Sequence, residues 1–136
     1  MKFEFLEHPS DLLIKAAGKT EKEVFKGMMQ GVAAYLSGEV ETKPEALAEE
    51  QSYIIEIEGD GYLNLLIKFL NEILYLTETE RKIFTKVDFE ELAEISLKAK
   101  VYGYKSEFVE QIKGATYRSS FEKTPKGFEA RVVFDI

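Results

Sequence analysis

Apolar and polar residues alternate at the start of the chain, where KFEFLE sets Phe3 and Phe5 between charged residues. A two-residue alternation is typical of a strand with one buried face. After the turn signal HPSD, the segment LLIKAAG has the composition of a second strand. We therefore predict a hairpin or bent ribbon at this end of the chain.

Two longer segments place apolar residues three and four positions apart, which is the period of an amphipathic helix. The first follows TEKE, a capping-box sequence that begins at Thr20, and it should end at Gly38. The second, YLNLLIKFLNEILY, follows GDG, where Asp60 is placed to cap it. The sequence therefore predicts two amphipathic helices.

Strand-like alternation also occurs between and after these helices. SYIIEIE separates them, and four further runs follow: RKIFTKV, EISLKAKVYGY, GATYRSSFEK and GFEARVVFDI. Half-buried strands with two amphipathic helices are typical of an α+β fold. We predict a two-layer sandwich in which both helices pack on one face of a largely antiparallel sheet. With no internal repeat or low-complexity tract, residues 1–136 are predicted to form a single domain.

Charge and cysteine content narrow the classes of function. The net charge is -7, from 25 acidic and 18 basic residues, and negative charge repels a phosphate backbone, so direct RNA binding is disfavoured. A basic protein partner or a divalent cation suits this balance better. The chain has no cysteine, which excludes disulfides and thiolate zinc sites. With neither a signal-peptide pattern nor an apolar run of about 20 residues, we expect a cytoplasmic protein without a membrane partner.

Acidic groups at the two ends of the chain could form an oxygen-rich pocket. Strand alternation puts Asp135 on the face of the last strand opposite its apolar residues, and HPSD places Asp11 at a bend. Together with the terminal carboxylate of Ile136, these groups suit hard cations such as Ca²⁺, Mg²⁺ or Mn²⁺. The alternative is that Asp11 forms an ordinary turn and Asp135 is solvated.

Two other residues carry candidate chemistry. His8 is the only histidine, and we interpret it as a turn residue or a support for a metal ligand, with direct metal ligation as the minor alternative. A catalytic triad with Ser10 and Asp11 is disfavoured, because side chains so close in sequence rarely align as nucleophile, base and orienter. Lys113, in IKGATYRSS, could contact a phosphate or a partner's carboxylate, or it could be a solvated charge.

Five segments, in the order HPSD, TEKEVFKGMMQGVAAYL, GDGYLNLLIKFLNEILY, IKGATY and VVFDI, resemble the archease family. The resemblance extends from Phe3 to Ile136. The chain departs from the family in its turn, where HPSD replaces the commoner HTAD. Asp11 keeps its spacing from His8, and the proline stiffens the entry to the bend.

The resemblance implies an accessory protein, not an enzyme. Archeases are small α+β proteins that assist RtcB-type RNA ligases, which join RNA ends in tRNA splicing and RNA repair, by promoting guanylylation and turnover. By motif, Asp11, Asp135 and Ile136 correspond to the family's metal site, with Ca²⁺ as the first expectation and Mg²⁺ or Mn²⁺ as alternatives. Lys113 corresponds to the lysine that the family is thought to need for activation.

Two rival functions belong to other classes. A metal-dependent hydrolase could use the same carboxylates to bind a cation that activates water, although acid and base candidates are few. A general chaperone or RNA-binding module would require an exposed apolar surface or a basic face with aromatic residues. Turnover by the isolated protein would support the hydrolase.

Overall fold

A computed structural model describes residues 3–6, 10–38 and 51–136. Both helices lie in the first five elements of the chain, and strands alone follow the second helix in the described residues. Within this described part, the elements in chain order are β1 (Phe3–Leu6), β2 (Leu12–Gly18), α1 (Glu21–Ser37), β3 (Gln51–Glu58), α2 (Tyr62–Glu80), β4 (Lys82–Leu92), β5 (Ser96–Lys105), β6 (Gly114–Ala115), β7 (Ser120–Thr124) and β8 (Gly127–Asp135).

The strands form two antiparallel sheets, with both helices packed against them. One sheet has five strands in the order β1-β2-β8-β6, with β7 also paired to β8, and the other has the order β3-β5-β4. Every strand pair in the described residues is antiparallel. The predicted α+β class is confirmed, and β1 and β2 form the expected hairpin. The division into two sheets is a feature that the alternation pattern did not reveal.

The second half of the chain contains five strands where the sequence predicted four. The stretch GATYRSSFEK forms two short strands, β6 and β7, that both pair with β8. Between them, the hydroxyl groups of Thr116 and Ser119 bond to the backbone of Val133. Side-chain hydroxyl groups therefore share the bonding to Val133 with the Thr116 amide at this point, and the strand is interrupted.

The helix ends show which sequence signals were reliable. Thr20 caps α1, its hydroxyl accepting a hydrogen bond from the Glu23 amide at 3.2 Å, and Gly38 ends the helix with a φ of 74°. The prediction that Asp60 caps α2 is wrong. Gly61 takes the N-cap position with a φ of 97°, so the helix starts one residue later, and the Asp60 amide instead donates to Asn64 Oδ1 at 2.9 Å.

The core joins both sheets and both helices. Phe25 of α1 is fully buried, and its ring lies about 6 Å from the rings of Phe69 on α2, Phe89 on β4 and Phe121 on β7. In β8, the alternate residues Ala130, Val132 and Phe134 are also fully buried. This apolar face anchors the strand whose last residue is Asp135. No helix in the described ranges is long and apolar enough to cross a membrane.

Candidate functional site

Three chain segments lie side by side at one end of the five-stranded sheet. Leu12, the first residue of β2, pairs with Phe134 of β8, so Asp11 and Asp135 adjoin this last pair. On the other side of β8, Gly114 of β6 pairs with Asp135. The Lys113 amide donates to the Asp135 carbonyl oxygen at 2.7 Å. The register therefore brings Asp11, Asp135 and the backbone of Lys113 together from distant parts of the sequence.

Arg118 connects the two carboxylates. Its Nη1 lies 3.4 Å from Asp11 Oδ2, and its Nη2 lies 3.3 Å from Asp135 Oδ1. These distances exceed the roughly 2.7–2.9 Å of a tight charge-assisted hydrogen bond. The Asp11 side chain is 18% exposed, whereas those of Asp135 and Arg118 are 55% and 61% exposed. One exposed guanidinium thus lies between an exposed carboxylate and a mostly covered one.

The segment 113–119 is held to β8 by several hydrogen bonds. The Thr116 amide and hydroxyl both donate to the Val133 carbonyl, at 3.0 and 2.9 Å. The Ser119 hydroxyl accepts from the Val133 amide at 3.0 Å and donates to the Thr116 carbonyl at 2.6 Å. These contacts fix the backbone that carries Lys113 and Arg118.

Two asparagines of α2 hold the same segment from the opposite side. Asn71 Oδ1 accepts from the Ala115 amide at 2.9 Å, and its Nδ2 donates to the Ala115 carbonyl at 3.2 Å. Asn64 Nδ2 donates to the Tyr117 hydroxyl at 2.8 Å. Residues seven apart lie on the same face of a helix, so one face of α2 supports the segment between Lys113 and Arg118.

Lys113 stands at the boundary between this edge and a cleft of about 510 Å³. Its side chain is exposed and contributes to the cleft wall together with Asn71, Tyr75 and Arg81 of the α2 region and Phe108. Arg81 lies over the Phe108 ring, 4.6 Å from its centroid. The Lys113 backbone is thus fixed to Asp135, while its side chain lines this cleft, whose wall includes neither Asp11 nor Asp135.

The donor chemistry of this edge fits a hard divalent cation. Carboxylate oxygens from Asp11 and Asp135 approach one guanidinium, and such oxygens are preferred ligands of Ca²⁺, Mg²⁺ and Mn²⁺. The described part of the chain contains no cluster of three or more His, Cys, Asp or Glu side chains suited to a metal ion. Ile136 follows Asp135 directly and is exposed. His8 lies outside the described residues.

Sequence reasoning did not find the contacts of Arg118, Asn64 and Asn71. Arg118 reaches Asp11 and Asp135 across 107 and 17 positions of sequence, which only the strand register brings together. The one available signal was that Arg118 follows Lys113 in the same basic stretch. The two asparagines carry a weaker signal, as polar residues seven apart on an amphipathic helix.

Comparisons with known proteins agree on one family. The model of the archease protein family (MTH1598/TM1083) matches residues 3–136. Protein archease of Methanosarcina mazei is 34% identical over 145 residues, covering 99% of this chain and 96% of the relative. Protein archease of Archaeoglobus fulgidus is 30% identical over 142 residues, covering 100% of each.

Two solved structures share the fold. The solution structure of Methanobacterium thermoautotrophicum protein 1598 matches with a TM-score of 0.72 at 23% identity, covering 99% of each chain. A crystal structure of "an archease, possible chaperone" from Thermotoga maritima matches with a TM-score of 0.65 at 18% identity, covering 96% of this chain and 94% of that one. At these identities, the likeness supports the fold alone.

Proposed function

Because this chain belongs to the archease protein family, we propose that it is an accessory protein that activates an RtcB-type RNA ligase in tRNA splicing and RNA repair. It promotes guanylylation and turnover of the ligase and does not itself join RNA. The observation that carries the proposal is the convergence of Asp11, Asp135 and the Lys113 backbone at one sheet end. These are the residues that the family resemblance marks.

The carboxylates of Asp11 and Asp135 and the α-carboxylate of Ile136 would hold a divalent ion, with Ca²⁺ as the first candidate and Mg²⁺ or Mn²⁺ as alternatives. When bound, the ion supplies concentrated positive charge at a carboxylate-rich edge. The paired strands β2 and β8 limit how far the two aspartates can separate. This pre-organisation favours binding, because less conformational freedom is lost when a ligand engages both groups.

Lys113 has a different role, which is to contact the ligase or its nucleotide. An exposed ammonium group is a compact point charge that binds phosphate or carboxylate oxygens. Its backbone amide donates to the Asp135 carbonyl oxygen. Two residues further along the chain, the Ala115 amide donates to Asn71. The Lys113 side chain is therefore exposed to a partner, while its backbone is fixed beside Asp135.

The acidic character of the chain suits association with a basic partner. A ligase that binds RNA presents positive surface, and opposite charges steer association at low ionic strength. The net charge of -7 accordingly favours contact with the ligase and opposes direct contact with RNA. Activation should weaken as salt is added, because salt screens charges on exposed surfaces.

A guanylylation assay with an RtcB-type ligase from the same organism tests this function. The assay measures the transfer of labelled GMP to the ligase. The variants are Asp11→Asn, Asp135→Asn and Lys113→Gln, with Glu122→Gln and Lys100→Gln as matched controls. Both control residues are exposed, and Lys100 lies on β5 in the other sheet. We expect each site variant to reduce stimulation about tenfold or more, with unchanged melting temperature, while both controls stimulate normally.

A further variant that carries a few residues after Ile136 removes the α-carboxylate from its place and leaves all side chains intact. We expect it to lose stimulation as the aspartate variants do. If Asp11→Asn and Asp135→Asn both stimulate the ligase as the unmodified chain does, the metal-based mechanism is wrong. If the unmodified chain gives no stimulation, the accessory role itself is wrong.

A further inference from the structure

We propose that Arg118 is an internal cation that competes with a divalent ion for the carboxylates of Asp11 and Asp135. The inference rests on the proposed metal site and concerns how strongly that site binds. Arg118 contacts one oxygen of each aspartate, at 3.4 and 3.3 Å. Its guanidinium thus lies between the oxygens that an ion would use.

The charges make the two occupants mutually exclusive. Neighbouring carboxylates repel each other, and one guanidinium relieves part of this repulsion. A divalent ion at the same oxygens relieves more of the repulsion between the carboxylates. However, an ion and a guanidinium that contact the same oxygens are close enough to repel each other. Binding of the ion therefore requires the Arg118 side chain to leave the carboxylate pair. The affinity of the site for the ion is therefore lowered by the free energy of the contacts between Arg118 and the two aspartates, which are lost when the ion binds.

The structure also shows why Arg118 can leave. Its side chain is 61% exposed, and both of its ion-pair distances are long for a charge-assisted hydrogen bond. The pair of Arg118 with Asp135 has two exposed partners and is therefore weak. The contact with the mostly covered Asp11 carboxylate is long, at 3.4 Å, so competition should alter the ion affinity only by a modest factor. The Arg118 amide donates to Thr116 Oγ1 at 3.3 Å, and this backbone contact does not depend on where the guanidinium lies.

Direct measurement of ion binding tests the competition without the ligase. Free Mn²⁺ is followed by electron paramagnetic resonance, and Ca²⁺ is followed by calorimetry. In Arg118→Gln we expect roughly three- to tenfold tighter binding of both ions, because the competing charge is gone. The ion affinity of Arg118→Lys should lie between those of the unmodified chain and Arg118→Gln, because lysine keeps the charge but loses the planar guanidinium. Arg131→Gln is the control, since Arg131 is an exposed arginine of β8 that pairs with Glu129.

A second readout separates competition from a purely structural role of Arg118. Competition predicts that Ca²⁺ raises the melting temperature of Arg118→Gln more than that of the unmodified chain. In the unmodified chain, it also predicts that Ca²⁺ shifts the NMR resonance of the Arg118 Nε–H group and leaves the resonance of the Arg131 Nε–H group unchanged. If Arg118 only stabilises the fold, Arg118→Gln would lower the melting temperature by the same amount with and without Ca²⁺.

The outcomes distinguish this inference from the proposed function. Equal or weaker ion binding by Arg118→Gln, beside measurable binding by the unmodified chain, overturns the role of Arg118 and leaves the metal site standing. Failure of both proteins to bind Mn²⁺ or Ca²⁺ at millimolar concentration overturns the metal site and the competition together. In the expected case, Asp11→Asn abolishes the tighter binding when it is combined with Arg118→Gln.

Discussion

Ser10 immediately precedes Asp11 and has a φ of 68°. This value lies in the left-handed region, which residues other than glycine, asparagine and aspartate rarely adopt. This conformation occurs two residues before Leu12, where β2 begins. The backbone before Asp11 is therefore held in a shape that disfavours bulky side chains. The placement of the Asp11 carboxylate depends on a residue that makes no ligand contact itself.

We predict that Ser10→Gly will be more stable than Ser10→Val by about 1–2 kcal/mol of unfolding free energy. Glycine adopts positive φ without a steric penalty, whereas a β-branched side chain is strained there. Urea denaturation of both variants measures the difference. The control is Ser52→Val at an exposed position of β3, where valine suits the strand and the change should be within about 0.5 kcal/mol. Equal stability of the two Ser10 variants would contradict this account.

At the same scale, sequence motifs could mark Asp11, Asp135 and Lys113 because each occurs in a recognisable local pattern. The contacts of Arg118 could not be found in this way, since they depend on which strands are neighbours. Asp60 shows the opposite error. A favourable capping residue was present, but the conformation of Gly61 moved the helix start past it.

Strand β6 is held by a side chain as well as by a neighbouring strand. It contains only Gly114 and Ala115, and one edge pairs with β8. The other edge has no neighbouring strand in the described residues, and Asn71 bonds to both backbone groups of Ala115 there. An amide side chain can satisfy a strand edge in this way because it carries both a donor and an acceptor. This contact supports the short strand that follows Lys113 directly.

We predict that Asn71→Ala will lower the unfolding free energy by about 1 kcal/mol, because two hydrogen bonds are lost at a partly solvated edge. Hydrogen exchange at the Ala115 amide should accelerate, since that group loses its acceptor, while the Val132 amide in β8 keeps its protection. Exchange followed by NMR measures both. Glu72→Ala, at the next exposed position of α2, is the control. Unchanged exchange at Ala115 in Asn71→Ala would show that the contact is not formed in solution.

Elements with long, clear periods were predictable, and short or non-local features were not. The two helices and the hairpin of β1 and β2 follow from local patterns of apolar residues. The pair β6 and β7 was predicted as one strand, because an interruption made by Thr116 and Ser119 has no periodic signature. The separation into two sheets depends on partner choice among strands of similar composition, and alternation alone does not specify it.

Over the whole molecule, one apolar cluster contains residues from both sheets and both helices. Phe25 lies at its centre, with ring contacts to α2, β4 and β7. Its packing therefore connects the sheet that carries the candidate site with the sheet that does not. A shared core of this kind couples the parts of a protein in unfolding. The predicted single domain of residues 1–136 should accordingly unfold as one unit.

Phe25→Leu tests this coupling, because it removes ring contacts to both sheets and leaves an apolar side chain. We expect a loss of about 1–3 kcal/mol in unfolding free energy. Amides of Val101 in β5 and Val132 in β8 should lose equal protection against hydrogen exchange. Phe5→Leu, at a side chain that is 46% exposed, should cost less than about 1 kcal/mol. If only one sheet loses protection in Phe25→Leu, the sheets unfold separately, and stabilising the far sheet would not stabilise the Asp11 and Asp135 edge.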